Sequence, residues 1–86
     1  MKNYHILVIE NNAKTQKIIK LFLLKQHYKV EIAENGIKGL KLFNEKKFDL
    51  VLLDIMMPIL NGFEVANIIR KRSPVPIIML TALIDE

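Results

Sequence analysis

Leu50-Val51-Leu52-Leu53-Asp54-Ile55-Met56-Met57-Pro58 is the stretch on which the fold turns. An apolar run that ends in a carboxylate and is bounded by a proline turn signal reads as a buried strand, here over residues 48–53. A carboxylate just past the carboxyl end of such a strand sits at the rim of the sheet, where open α/β sheets bind ligands. Burying an unpaired carboxylate is costly, so Asp54 needs a cation, a partner or water. Position alone therefore makes Asp54 a reactive-site candidate.

Working outward from this strand, the chain alternates between two periodicities. His5–Ile9 reads as a strand, and Glu10-Asn11-Asn12 offers helix N-cap chemistry after it. Residues 13–26 follow a helical period that places Ile18, Ile19, Phe22 and Leu23 on an inner face. Residues 28–33 alternate, with Val30 and Ile32 on one side, as in a half-buried strand. Asn35-Gly36 punctuates the chain, and Ile37, Leu40 and Phe43 then share one face of a second helix that ends near Lys46-Lys47. Beyond Pro58, Asn61-Gly62-Phe63-Glu64 has the pattern of a capping box. Val65, Ile68 and Ile69 give the third helix its apolar face, and Ser73-Pro74-Val75-Pro76 ends it. Ile77–Leu80 is the last strand, with Pro76 fitting as its first residue. The order βαβαβαβ implies right-handed crossovers and a parallel sheet with helices on both faces.

Composition narrows the function classes. The chain has 86 residues, enough for one small domain, and is 51% hydrophobic and 26% charged, which fits a packed core. It contains no cysteine, so disulfides and thiolate metal sites are excluded. The first apolar run is too short for a signal peptide, and none reaches the roughly 18 residues of a membrane span. A soluble cytoplasmic protein with no membrane contact is expected. The net charge is +4, but Lys14, Lys17, Lys20, Lys38 and Lys41 fall at outward helix spacings. Only Arg70-Lys71-Arg72 clusters, so no nucleic-acid surface is expected of this segment. His5 and His27 have no second histidine or carboxylate at metal-ligand spacing, and Gly36-x-x-Gly39 is not a phosphate loop.

Four segments together resemble the receiver domain of two-component response regulators: Ile6-Leu7-Val8-Ile9-Glu10-Asn11, Leu52-Leu53-Asp54-Ile55-Met56-Met57-Pro58, Asn61-Gly62-Phe63-Glu64 and Pro76-Ile77-Ile78-Met79-Leu80-Thr81-Ala82. The resemblance covers essentially the whole chain. It implies a flavodoxin-like sheet, which for these strands means the order 2-1-3-4. It also implies that Asp54 accepts a phosphoryl group from the phosphohistidine of a sensor histidine kinase, and that Thr81 contacts that group. Glu10, Asn11, Asp54 and the backbone carbonyl of Met56 match the positions that hold Mg²⁺. The chemistry suits the residue types. A carboxylate is a competent nucleophile for phosphoryl transfer, two approaching anions need a cation between them, and Mg²⁺ takes oxygen ligands. The resemblance implies a phosphoacceptor rather than an enzyme, and a phosphatase with an Asp nucleophile would want an acidic residue where Met56 stands.

Two departures from the family pattern shape the expectations. Asn11 stands where a second acid is usual, so Mg²⁺ is expected to bind weakly. Residues 1–86 match the amino-terminal portion of the family, without its last helix, strand and helix, and hence without the lysine that follows its fifth strand. Two readings are open from the sequence: a phosphorylatable receiver, or a degenerate receiver that acts only as a protein-binding module. Plainer roles stand beside them, with Glu10 and Asn11 as caps of the first helix, Thr81 as a strand-end hydroxyl, and Met56 and Met57 as packing residues. The uncharged fourth strand would form a sheet edge, so self-association through it is expected.

Overall fold

The computed structural model describes residues 3–80. Thr81 lies outside them. The described elements are β1 (His5–Ile9), α1 (Ala13–Lys25), β2 (Lys29–Ala33), α2 (Gly36–Glu45), β3 (Leu50–Asp54), α3 (Gly62–Arg70) and β4 (Ile77–Leu80). The strands form one parallel sheet in the order β2-β1-β3-β4. Ile6 lies opposite both Val30 and Leu50, and Asp54 lies opposite Leu80. The flavodoxin-like architecture expected from the resemblance is the one found.

Alternate residues of the strands feed two cores. Leu7, Ile9, Val51 and Leu53 face α2 and α3, where Val65, Ile69, Met57 and Val75 close over them. Ile6 and Val8 face the other way and pack with Leu23 and Ile19 of α1, alongside Val30, Ile32, Leu50 and Leu52. β1 is therefore covered on both faces, which is why it reads as a continuous apolar run rather than an alternation.

The helices differ from the sequence reading in which residues they bury. On α1 only Leu23 is buried, while Ile18 and Phe22 are 68% and 63% exposed. Ile19 and Leu23, four apart, take the stripe over the sheet. Ile18 and Phe22 each sit one residue back, about 100° around the helix. On α2 the buried residues are Gly36 and Gly39, with Leu40 and Phe43 half-buried, and Ile37 turns outward. The side-chain-free face lets the helix lie close to β1, so a glycine rather than an isoleucine occupies the contact line. α3 buries Val65 and Ile69 as its period requires.

β3 begins at Leu50, two residues later than the strand read from the sequence, and ends on Asp54 itself. Phe48 does not join the ladder. Its ring stacks on Phe43, centroids 6.3 Å apart, and lies 4.5 Å from the His5 ring. Asp49 brackets His5 instead, giving its N–H to the His5 carbonyl and accepting the His5 N–H at 2.8 Å.

All three described helices start on asparagine caps. Asn12, Asn35 and Asn61 accept from the backbone N–H groups of Thr15, Lys38 and Glu64, and Glu64 completes a reciprocal box at Asn61. The first cap is Asn12, so neither Glu10 nor Asn11 caps α1 by this bond. α1 ends in a Schellman arrangement without glycine. His27, at φ 66°, donates to the Leu24 carbonyl, and the Tyr28 N–H reaches the Leu23 carbonyl.

Candidate functional site

The carboxyl ends of β1 and β3 lie side by side, so the residue after β1 and the last residue of β3 meet. They are Glu10 and Asp54. Both are nearly buried, at 5% and 6% exposure, and they are the charged residues the described core contains. Together with Asn11, Asn12, Met56 and Leu80 they line a cavity of about 620 Å³ at this end of the sheet. Four of the five site residues expected from the sequence, Glu10, Asn11, Asp54 and Met56, thus come together. The fifth, Thr81, is outside the described residues.

Backbone geometry fixes each side chain. Asp54 Oδ1 accepts the Met56 N–H at 3.2 Å, which turns the chain back over the strand end. Glu10 Oε2 accepts the Asn12 N–H at 2.9 Å, and Gln16 Nε2 holds the Glu10 carbonyl at 2.6 Å. Gly62 underlies the site from the far side. Its N–H donates to the Ile55 carbonyl at 2.9 Å, and a Cβ there would run into the Asp54 carbonyl oxygen. Among these supports, Gly62 stood in the sequence beside the cap Asn61, and Asn12 stood in the polar triplet after β1. Gln16 carried no signal, because its bond is to a backbone group six residues earlier.

Electrostatically the pair is under-compensated. Burial pushes the Glu10 carboxyl above the usual range, and the charge and side-chain hydrogen bond of Asp54 push the same way. The backbone N–H groups of Asn12 and Asn11 act against this without cancelling it. Among the described residues no ion pair reaches either carboxylate. Two buried carboxylates sharing an open cavity without a cation are the donor set that a hard divalent ion satisfies. Asn11 contributes less than its position implies. It is exposed, and its Nδ2 donates to the Glu34 carbonyl at 3.4 Å, tying the loop after β1 to the loop after β2. Met56 corrects the packing reading. Met57 is buried in the core, whereas Met56 is 68% exposed at the cavity mouth.

Comparison with known proteins gives this geometry a family. Residues 6–86 match the model of the response regulator receiver domain. The chain is 43% identical over 84 residues to the probable transcriptional regulator ycf27 of Cyanidium caldarium, an alignment covering 98% of this chain and 34% of that protein. It is 40% identical over 81 residues to the transcriptional regulatory protein ResD of Bacillus subtilis, covering 94% of this chain and 34% of ResD. It therefore spans about a third of the length of these curated relatives. Among solved structures it superposes on the response regulator TrrA of Thermotoga maritima, determined in complex with Mg²⁺ and BeF. The TM-score is 0.88 and the identity 41%, over 92% of this chain and 70% of that one. The chain belongs to the response regulator receiver family of two-component signalling.

Proposed function

We propose that this receiver takes up a phosphoryl group on Asp54 from the phosphohistidine of a sensor histidine kinase. The observation that carries the reading is the buried Glu10–Asp54 pair, open to one cavity and without an ion pair to either carboxylate among the described residues. In the transfer, an Asp54 carboxylate oxygen forms a bond to phosphorus as the phosphorus–nitrogen bond of the donor breaks. The electron pair stays with the imidazole, and Asp54 becomes an acyl phosphate. Asp54 is thereby consumed as a stoichiometric acceptor, and hydrolysis of the acyl phosphate by water, releasing inorganic phosphate, restores the carboxylate.

The residues present fit Mg²⁺. Glu10, Asp54 and the Met56 carbonyl would hold it, with Asn11 at the periphery, and when bound it supplies the positive charge that lets an anionic phosphoryl group approach two carboxylates. With Asn11 contributing no charge, we assign the ion a weak affinity. Thr81 is assigned the phosphoryl contact from its place in the sequence after β4.

Three further assignments accompany this reading. The protein works in the cytoplasm, and among its described helices none is long and apolar enough to cross a membrane. No nucleic-acid contact is assigned to this segment, where Arg70 holds the Ser73 and Val75 carbonyls and Arg72 holds Asn44. β4 is the outer strand of the described sheet, uncharged, with Ile78 51% exposed. We assign it self-association through that edge, which sedimentation velocity at several concentrations tests. A monomer at high micromolar concentration would remove the assignment.

The phosphoacceptor reading is tested by incubating the chain with acetyl phosphate and reading intact mass. One added phosphoryl group is expected with Mg²⁺ and none without it. Asp54→Asn is expected to take up none, and uptake by that variant would refute the assignment.

A further inference from the structure

Glu10 carries its carboxylate in an unfavourable place. The residue is nearly buried, it faces Asp54, and no described ion pair reaches it. A carboxylate in that setting swings toward water unless its surroundings hold it. Here backbone groups hold it. Glu10 Oε2 accepts the Asn12 N–H at 2.9 Å, and the Asn11 N–H faces the same carboxylate. Glu10 itself lies one residue beyond β1, where its own N–H still donates to the Ala33 carbonyl at 3.0 Å.

The Glu10 carbonyl is held by a side chain. Gln16, one turn into α1, reaches back six residues and donates from Nε2 to that carbonyl at 2.6 Å. The backbone of Gln16 is fixed in turn, because its N–H donates to the Asn12 carbonyl at 2.9 Å. The Glu10–Asn11 peptide is trans, so its C=O and N–H point to opposite sides of one plane. By drawing the carbonyl toward α1, Gln16 therefore also turns the Asn11 N–H toward the Glu10 carboxylate. Glu10 and Asn11 border an open cavity, where water can satisfy a carbonyl. Satisfying the carbonyl does not by itself account for a side chain that returns from the helix to do it.

We propose that Gln16 is a positioning residue of the cation site, acting through the Glu10–Asn11 peptide to keep the Glu10 carboxylate turned toward Asp54. The inference rests on that pair as the site that takes Mg²⁺. Gln16 does not line the cavity that Glu10 and Asp54 share, so its effect passes through Glu10. Its contribution is that the carboxylate needs little reordering when a cation arrives, a cost that otherwise subtracts from affinity. Groups that orient a metal's ligands set its affinity in this way without touching it.

The test separates affinity from stability. Gln16→Met keeps the length and the helix preference of the side chain and removes the donor. Ile18→Gly weakens the same helix at an exposed, uncharged position. Mg²⁺ is titrated into the unaltered chain and both variants, with NMR shifts of the loop after β3 as the readout, and urea unfolding without divalent cations gives the stability of each. Ile18→Gly is expected to unfold at lower urea and to keep its Mg²⁺ affinity. Gln16→Met is expected to bind Mg²⁺ about fivefold more weakly, the weight of one hydrogen bond. Unchanged affinity in Gln16→Met overturns the proposal and leaves Gln16 a structural partner of the loop. An equal loss in Ile18→Gly overturns it too, because loosening the helix would then suffice. So does a Gln16→Met chain that fails to fold, since the bond would then carry the fold rather than the site. An unaltered chain whose loop gives no response to Mg²⁺ refutes the cation site itself and the positioning role with it.

Discussion

Toward the amino ends of the strands, the mid-strand Glu31 of β2 lies 2.9 Å from Lys46 Nζ and 2.8 Å from Nε2 of His5, the first residue of β1; at the carboxyl ends, Glu10 faces Asp54. The hydrogen bond and charge of Lys46, with smaller help from His5, hold the Glu31 carboxyl below the usual range against its own burial. The His5 ring sits at ion-pair distance but out of line for a directional hydrogen bond, and its Nδ1 lies 3.1 Å from the Lys47 carbonyl. Glu10 is shifted the opposite way by burial and by a like charge. The same residue type is thus tied into an ion-pair cluster at one end of the sheet and left short of positive charge at the other. Only the second arrangement has something to gain from a bound cation, and the proposed cation site rests on that contrast.

The comparison can be broken most severely through Gly62. A Cβ at that position would lie 2.8 Å from the Ile55 Cα and closer still to the Asp54 carbonyl, so backbone must move. Gly62→Ala is expected to cost about 1–3 kcal/mol in urea unfolding and to slow acetyl phosphate loading, because the atoms displaced belong to the site. A variant with lower stability and undiminished loading would show that Gly62 supports the fold alone.

A smaller effect sharpens the cation argument. Asn11→Asp adds a carboxylate beside Glu10 and is expected to tighten Mg²⁺ binding about tenfold, about 1.4 kcal/mol. NMR shifts of the loop after β3 during a Mg²⁺ titration give the affinity. If the two forms bind alike, Asn11 serves only to tie the loops after β1 and β2 through Glu34.

The smallest effect lies at the amino end. Glu31 is held below its ordinary pKa, so its contribution is present above the unfolded carboxylate range and is lost as pH falls through the lowered folded value. The unaltered chain should exceed Glu31→Gln by about 0.2–1 kcal/mol near neutral pH. The difference should close only below the usual carboxylate range. Denaturant titrations of both proteins between neutral and strongly acidic pH measure it, and a gap that persists into strong acid would assign the stabilisation to something other than ionised Glu31.

How much of this was legible in the sequence follows from where each feature is encoded. β1, β4 and the capping box at Asn61 were legible, because apolar runs and cap residues are local signals, whereas Asn35 read only as a break and the first cap stayed open among Glu10, Asn11 and Asn12. Asp54 was legible by its position after an apolar run. The buried stripe of α1 was not, since its apolar residues span more than one face and only packing decides that Ile19 and Leu23 win over Ile18 and Phe22. The late start of β3 depended on Phe48 finding Phe43 and His5, contacts that local pattern does not specify. The strand order came from family resemblance. The meeting of Glu10 with Asp54 follows once β1 and β3 are adjacent, but that no described lysine, arginine or histidine pairs with either carboxylate became visible only with the surroundings of both residues.

The measurement that bears most directly on the contrast between the two ends is the melting temperature of Glu10→Gln and Glu31→Gln, side by side at neutral pH without divalent cations. Glutamine keeps the shape and one acceptor oxygen of each side chain and puts a neutral amide in place of the carboxylate. Glu31→Gln is expected to melt lower than the unaltered chain, having lost a compensated charge. Glu10→Gln is expected to melt higher, having lost a buried charge held beside Asp54. If Glu10→Gln also melts lower, its carboxylate is as well compensated as that of Glu31, and the carboxyl end of the sheet is not the cation-seeking site described.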